Sequence, residues 1–407
     1  MVRFLTAGES HGRALVVILE GIPAGLTIDP DDIARHLGRR QAGYGRGRRM
    51  AIESDRAEIL SGVRAGETIG GPIAMTIDNR DWANWQYTMR TFEEPPEGAG
   101  GTRRPPVTRP RPGHADLAGV AKYGRDDIRD VLERASARET AARVAAGAIA
   151  RQLLQRAGIR ITSHIFAIGE ARLAPGTAVA FEAADALADT AALRCVDAEV
   201  ERRMMADIDR ARESGDTMGG AFEIIATGVP PGLGSYVQWD LKLDGRLAQA
   251  LMSIPAIKAV AIGDGVDGAR RPGSQVHDEI VSDTAARSGE PVVVRPTNRA
   301  GGLEGGVTNG EELRVTGFMK PISTLMKPLR SVDLTTLEDA PAAIERSDTC
   351  AVPAAAVVAE AMVGLVLADA VLERFGGDSM DDLLARVGST GARVRGRLTR
   401  RRSPARA

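Results

Sequence analysis

Two cysteines in 407 residues, Cys195 and Cys350, are too few for a disulfide framework or a zinc site. So few thiols fit a reducing compartment, and a cytoplasmic location is expected. Aromatic residues make up only 3% of the chain, which leaves little for stacking nucleic-acid bases. Lysine is nearly absent: Lys122, Lys242, Lys258, Lys320 and Lys327 are all there are, so the positive charge is almost wholly arginine. Arginine grips carboxylate and phosphate through paired donors, which is compatible with a small anionic ligand, although a GC-rich genome gives the same bias. The net charge of -1 says nothing about a polyanionic partner. The start, MVRFLTAGESHG, lacks the apolar run of a signal peptide. The most apolar stretch, Val352 to Phe375, is broken by Glu360, Asp369 and Glu373. It is a buried helix rather than a membrane span, and no membrane partner is expected. No P-loop, GxSxG or cysteine-nucleophile motif occurs, and no histidines stand at metal-ligand spacing, so no metal is expected. Gly263 to Gly268 matches GxGxxG, but Arg270-Arg271-Pro272-Gly273 breaks the chain where a dinucleotide-binding helix would follow.

What is present is a large apolar fraction, 43%, enough for a sizeable core. Residues Gly8 to Leu26, GESHGRALVVILEGIPAGL, align without a gap with Gly215 to Leu233, GDTMGGAFEIIATGVPPGL. Each has a glycine-bounded turn, a short apolar strand (Ala14–Leu19, Ala221–Ala226) and a Gly-aliphatic-Pro turn. A weaker echo pairs Gly71-Pro72-Ile73, leading to Asn79-Arg80, with Gly289-Glu290-Pro291-Val292, leading to Asn298-Arg299. The pattern reads as an α+β chain built from two intertwined copies of one unit related by a pseudo-twofold axis. A single globular domain over 1–390 follows, because the repeat is too long for a solenoid. The basic remainder, 391–407, reads as a disordered tail.

Asp29-Pro30 caps a helix through Leu37. Ser136-Ala137-Arg138-Glu139 is a capping box opening a helix to about Arg156, closed by Gly158. Val200, Met204, Ile208 and Ala211 mark one amphipathic helix; Leu243, Leu247, Ala250, Leu251 and Ile254 mark another. Glu94 to Pro112, rich in proline, glycine and arginine, is a long loop of the kind that is often functional.

Of the histidines, His36 reads as solvated, His164 as structural in an apolar strand, and His277 as an ion-pair partner of Asp278-Glu279. His11 and His114 differ, because each lies in a tight glycine-flanked loop, GESHG and RPGHAD. Met218 stands where the repeat would place a second His11, so one copy carries a titratable group and the other an inert one. Arg39, Arg40, Arg46, Arg48 and Arg49 alternate with Gly43, Gly45 and Gly47 in a loop suited to fold over a multiply charged anion. Arg134-Ala135-Ser136 precedes a helix, whose N-terminus attracts anions. These residues describe a site for a phosphorylated, carboxylated small molecule, without naming a reaction.

Longer motifs go further. RRQAGYGRGRRM at 39–50, RPGHAD at 111–116, RASARETAARVAAGAIA at 134–150, LMSIPAIKAVAIGDG, GSQVHDEI, NRAGGLEGG, MKPISTL and RSDTCAVPAAAVVAEAM follow GESHG and EGIPAG in order. Together they resemble the chorismate synthase family to about residue 385. The resemblance implies a sandwich of long helices between antiparallel sheets, assembled as a homotetramer. It implies a lyase of the shikimate pathway that removes phosphate from 5-enolpyruvylshikimate 3-phosphate by anti-1,4-elimination, using reduced FMN. NADPH is implied as a source of reductant, and nucleic acid is not a partner. His11 would be the acid toward the departing phosphate, His114 would protonate or stabilise reduced flavin, and Asp348 would assist ring-proton removal. Arg40 and Arg46 match anion-binding arginines, for substrate or for a nicotinamide phosphate. Flavin contacts map to Arg134, Ala135, Ser136, Gln249, Ala250, Gly305, Lys320, Pro321, Ile322, Ser323, Thr324 and Arg346. A flavin oxidoreductase acting on a similar anion, and an RNA-binding protein using the Arg39–Arg49 loop and tail, are the competing readings.

Overall fold

Short apolar runs closed by glycine and proline turns become strands, and the alanine-rich runs become helices. The computed structural model describes residues 1–47, 55–94, 97–283, 292–345 and 347–398. Its first part holds β1 (Arg3–Ala7), β2 (Ala14–Glu20), α1 (Pro30–Gln41), β3 (Glu58–Ile59), β4 (Val63–Arg64), β5 (Glu67–Thr68), β6 (Ile73–Asp78), α2 (Asp116–Tyr123), α3 (Arg129–Ala135) and α4 (Thr140–Arg156). Then come β7 (Arg160–Ile168), β8 (Ala171–Arg172), α5 (Phe181–Asp185), α6 (Ala198–Glu213), β9 (Gly220–Thr227), α7 (Leu243–Met252), β10 (Ile257–Ile262) and α8 (Gly265–Gly268). The last part holds β11 (Val281–Asp283), β12 (Val292–Val294), β13 (Leu303–Glu304), β14 (Val307–Thr308), β15 (Leu313–Met319), β16 (Arg330–Val332), β17 (Asp339–Pro341), α9 (Val352–Phe375) and α10 (Met380–Leu398). The chain is α+β, as its sequence indicates.

Two larger antiparallel sheets run in the orders β1-β2-β6-β3 and β10-β15-β9-β7-β8. The turn after β2 is clamped by Thr68, whose hydroxyl accepts from Leu26 N at 2.9 Å and donates to Pro23 O at 2.6 Å. The turn after β9 is clamped in the same way by Thr308, which accepts from Leu233 N at 2.8 Å and donates to Pro230 O at 2.7 Å. Of the weaker sequence echo, Ile73–Asp78 is β6, paired with β2, whereas Val292–Val294 is β12, which pairs with β11 in a small separate ribbon; the strand beside β9 on its other side is β15.

Helix α1 begins where the sequence indicates, with Asp29 Oδ1 accepting from Asp31 N at 2.9 Å, but runs past Leu37 to Gln41. The guanidinium groups of Arg39 and Arg40, both buried, are anchored inside the fold and carry the last turn with them. Ser136 caps a short 3-10 turn (Ala137–Glu139) that leads into α4. The box closes on one side only, because the Glu139 carboxylate turns to the Thr6 hydroxyl and Arg143. The predicted apolar faces of α6 and α7 are buried. Helix α10 continues to Leu398, into the segment read as a disordered tail; residues 399–407 lie outside the described residues.

At the centre, α4 packs along α9, with α1 against α4 and α7 against α9. Contact is close because Gly147 offers no side chain: a Cβ there would stand 2.3 Å from Ala361 Cβ and 2.6 Å from Ala361 Cα. Helix α9 carries almost only apolar residues and is buried in this core, which explains its membrane-like composition. Replacing Gly147 by alanine raises helix propensity by about 1 kcal/mol but forces the helices apart. A net loss of roughly 1–2 kcal/mol of stability is expected for Gly147→Ala by denaturant titration; a more stable variant would show that α4 and α9 adjust freely.

Candidate active site

The GESHG loop after β1 is held against the end of α3. Ser10 N donates to Glu133 O at 3.0 Å, and His11 N donates to Glu133 Oε2 at 2.9 Å. The same carboxylate meets His11 Nδ1 at 2.9 Å, and its side chain is only 1% exposed. Burial raises the Glu133 carboxyl, but the bond from His11 and the charge of Arg129 outweigh it and leave the group below its ordinary range. An ionised acceptor at Nδ1 fixes that nitrogen as the N–H, so proton exchange falls to Nε2. The ring is further set by Trp85, stacked on it at 3.8 Å and 20°. The Arg104 guanidinium lies 3.8 Å from the Trp85 ring centroid, and Trp85 Nε1 donates to Asp81.

His114 has the same support. Its Nδ1 meets Asp116 Oδ1 at 2.5 Å, and Asp116 is buried under Arg111, whose Nε donates to Oδ2 at 2.8 Å. Burial raises the Asp116 carboxyl, while the bonds from His114 and Arg111 hold it well below the carboxylate range. Arg111 Nη1 also reaches the Thr324 hydroxyl at 3.0 Å, and Lys320 Nζ donates to Gly113 O at 2.7 Å. The RPGHAD loop is thereby joined to the segment after β15, and Thr217 Oγ1 donates to Ile322 O from the far side. Helix α2, which carries Asp116, packs on α3, which carries Glu133.

Asp348 is not a helix cap, since α9 begins at Val352 after Ala351. Its carboxylate accepts from Gly47 N at 2.6 Å and pairs with Arg46 at 2.6 Å. Arg40 is buried, donating to Thr140 Oγ1 at 3.0 Å and to Ala137 O at 3.2 Å, with Asp55 at 3.6 Å. The arginine cluster therefore does not act as one loop: Arg39 turns into the core toward Glu360, while Arg48 and Arg49 lie outside the described residues.

Among the remaining site residues, Arg134 is partly exposed and donates to Thr6 O and Gly8 O, and Ser136 Oγ meets Ser10 Oγ at 3.2 Å. Ala135 ends α3 between them. Gln249 and Ala250 lie in the last turns of α7, and Arg143 of α4 reaches the following Ser253. Lys320, Pro321, Ile322, Ser323 and Thr324 leave β15 at the Gly220 end of β9. Gly305, in the β13–β14 turn, lies beyond the other end, where Leu313 pairs Ala226. Arg346 lies outside the described residues.

His36 and His164 are structural. His36 is buried rather than solvated and is pushed down to about 3 by burial and the Arg151 charge, so it is neutral. His164 meets Glu223 at 3.0 Å. Asp278 does not take His277 as its partner but accepts from Thr297 Oγ1 and the Arg299 and Ala300 amides. Glu133, Trp85, Arg111 and Asp116 are the residues that sequence reasoning missed. Asp116, two positions after His114, was the one with a local signal.

Comparison with known proteins gives the setting for this geometry. The chorismate synthase family model matches residues 2–372. The chain belongs to the chorismate synthase family. It is 56% identical over 386 residues to the Desulforudis audaxviator chorismate synthase, covering 94% of this chain and 96% of the relative. The Geobacter sulfurreducens chorismate synthase is 56% identical over 385 residues, with 94% and 96% covered. A crystal structure of a chorismate synthase superposes with a TM-score of 0.75 at 41% identity, covering 97% of this chain and 98% of that one. The chain is therefore a lyase of aromatic amino acid biosynthesis.

The depressed carboxyls imply a pH dependence. A group whose folded value is lowered stabilises fully above its ordinary value and loses that contribution as pH falls toward the folded one. For Asp116, ordinarily 3.8, the contribution is complete at pH 7. Asp116→Asn breaks a buried pair and should cost roughly 3 kcal/mol at pH 7. By urea titration the deficit should shrink by about 1 kcal/mol at pH 3; a deficit that ignores pH would separate Asp116 from ionic support of His114.

Proposed function

We propose that this chain removes phosphate from 5-enolpyruvylshikimate 3-phosphate by anti-1,4-elimination to give chorismate, with His11, His114 and Asp348 as the working groups. The observation that carries the proposal is the matched pair of loop histidines, each with a buried, ionised carboxylate at Nδ1. Such a carboxylate fixes Nδ1 as the N–H and leaves Nε2 as the proton-exchanging atom. His11 delivers a proton from Nε2 to the phosphate oxygen as the carbon–oxygen bond breaks. Asp348 assists removal of the ring proton as the new double bond forms. Its carboxylate is tied to Arg46, and an anionic substrate competes for the same guanidinium. Substrate binding would so loosen the carboxylate for its role. Arg40 serves an anion less directly, because its guanidinium is committed to the start of α4.

Reduced FMN would be held by Arg134, Ser136, Lys320, Ser323 and Thr324. The donor set fits: an ammonium, a partly exposed guanidinium and hydroxyls suit a phosphate-bearing group. When bound, reduced FMN supplies electron density to the elimination without net oxidation of the substrate. His114, beside the Lys320 segment, is positioned to hold or give a proton there. NADPH as the reductant source, a homotetramer, a cytoplasmic location and the absence of a nucleic-acid partner complete the reading. The architecture belongs to it too: a helix sandwich between antiparallel sheets, duplicated about a pseudo-twofold axis. The matched orders β1-β2-β6-β3 and β7-β9-β15-β10 and the Thr68 and Thr308 clamps support the duplication.

Anaerobic incubation with substrate and dithionite-reduced FMN tests the reaction: chorismate should form while the flavin stays reduced. Oxidised flavin in step with product would favour an oxidoreductase. His11→Ala should lose about 10²–10⁴-fold in kcat with flavin binding intact. Glu133→Gln should lose less and move the pH profile of kcat, and an unmoved profile would show that Glu133 only packs. Asp348→Asn retains an acceptor for Gly47 N but cannot take a proton. It should fold, bind flavin and turn over on the order of 10²-fold slower; near-normal turnover would return the base role to the flavin.

A further inference from the structure

A cavity of about 300 Å³ opens beside α1, α4, β7 and α5, and none of the site residues above lines it. Arg35, Arg39, Arg151, Arg160 and Arg194 line it, with Asp185 and Asp189 as its acids. It stands at the Arg160 end of β7, which pairs Thr227, whereas Lys320 and His114 gather at the Gly220 end. The length of β9, roughly 25 Å, separates the two. On α1, Arg40 turns to the start of α4 while Arg35 and Arg39 face the cavity.

Arg35 has Asp32 at 2.7 Å, and Arg160 has Asp185 at 3.4 Å and Glu182 at 3.7 Å, but the inner guanidinium groups share fewer acids. Glu360, fully buried behind the cavity, takes both Arg39 and Arg151 at 2.8 Å. Asp189 is shared by Arg39 at 3.0 Å, Arg35 at 3.4 Å and Arg194 at 4.0 Å. Arg151 and Arg194 are nine-tenths buried, and the Nε of each has no hydrogen-bond partner among the described residues. Burial, then the neighbouring guanidinium groups, hold both below the ordinary arginine value, and the same positive surroundings keep His36 neutral. A buried donor without a partner is costly, and arginine pairs with planar or tetrahedral oxyanions.

We propose that this arginine-lined cavity is a second anion site, separate from the catalytic one, taking a small multiply charged oxyanion of the phosphate or polycarboxylate class. The anion bridges Arg160 and Arg194 at the mouth and offsets the positive crowding around Arg151 and Arg194. Asp189, which is 40% exposed at the mouth, competes with it for those guanidinium groups.

The full chain is titrated with inorganic sulfate against chloride at constant ionic strength, reading thermal midpoint and calorimetric affinity. A crystal soaked in selenate then locates the ion by anomalous scattering. Sulfate should raise the midpoint where chloride does not, and selenate should lie between Arg160 and Arg194. Arg160→Gln, at a half-exposed position, should weaken sulfate roughly tenfold. Asp189→Asn should tighten it about fivefold, the opposite sign. Both should leave chorismate formation unchanged without sulfate, so failure of this site and failure of the catalytic reading stay distinguishable. Equal effects of sulfate and chloride, or selenate found only near Lys320, would overturn the proposal.

Discussion

The contact of α4 with α9 at Gly147 and Ala361 is the constraint from which the rest of the arrangement follows. Because the two helices touch backbone to backbone there, their N-termini are fixed relative to each other and to the sheets around them. The chain just ahead of α4 receives the GESHG loop, through Ser10 and Ser136. The chain just ahead of α9 receives the Gly45 loop, with Thr349 N donating to Gly45 O at 2.8 Å. Catalytic candidates sit at both places, on loops that rigid elements hold. Widening the helix pair by even a methyl group would therefore be felt at the site as well as in the core.

A second constraint is ionic. Glu360 on α9 ties Arg39 of α1, Arg151 of α4 and Ser163 of β7 to one carboxylate. Burial raises that carboxyl, and the arginine charges bring it far below its ordinary range. Such clusters seldom add net stability, because desolvation offsets the attraction. What this one does is fix which face of α1 turns inward. With Arg39 committed to Glu360, the next residue, Arg40, must point toward the start of α4.

The elements were legible where local rules govern. Asp29 capped α1, the α6 and α7 stripes were buried, and β2 and β9 formed as their punctuation required. The loop histidines were legible because glycine flanks leave a side chain little to do in packing. What failed depended on distance in the chain. His36 has an ordinary helical context, and Arg151 and Glu360, more than a hundred residues away, join Arg39 and Asp32 in making its surroundings dry and charged. Glu133 is joined to His11 across a separation that no local pattern reveals, and Trp85 has no sequence signal for stacking on it. That β6 pairs with β2 and β15 with β9 was hidden because a Gly-Pro turn is common, whereas strand order appears only after folding.

The asymmetry between His11 and Met218 can now be given a physical cause. In the aligned loops the two backbone amides do similar work: His11 N donates to the Glu133 carboxylate at 2.9 Å, and Met218 N donates to Thr349 O at 2.8 Å. The difference lies in what stands behind each loop. Behind His11 is an ionised carboxylate that orients an imidazole. Beside Met218, bridged to it, is Cys350, a thiol pushed up to about 11 by burial. That thiol stays protonated and offers no charge to a neighbour. The two loops are thus held alike through their backbones and differ in the residue that faces each: a carboxylate at His11, a thiol at Met218.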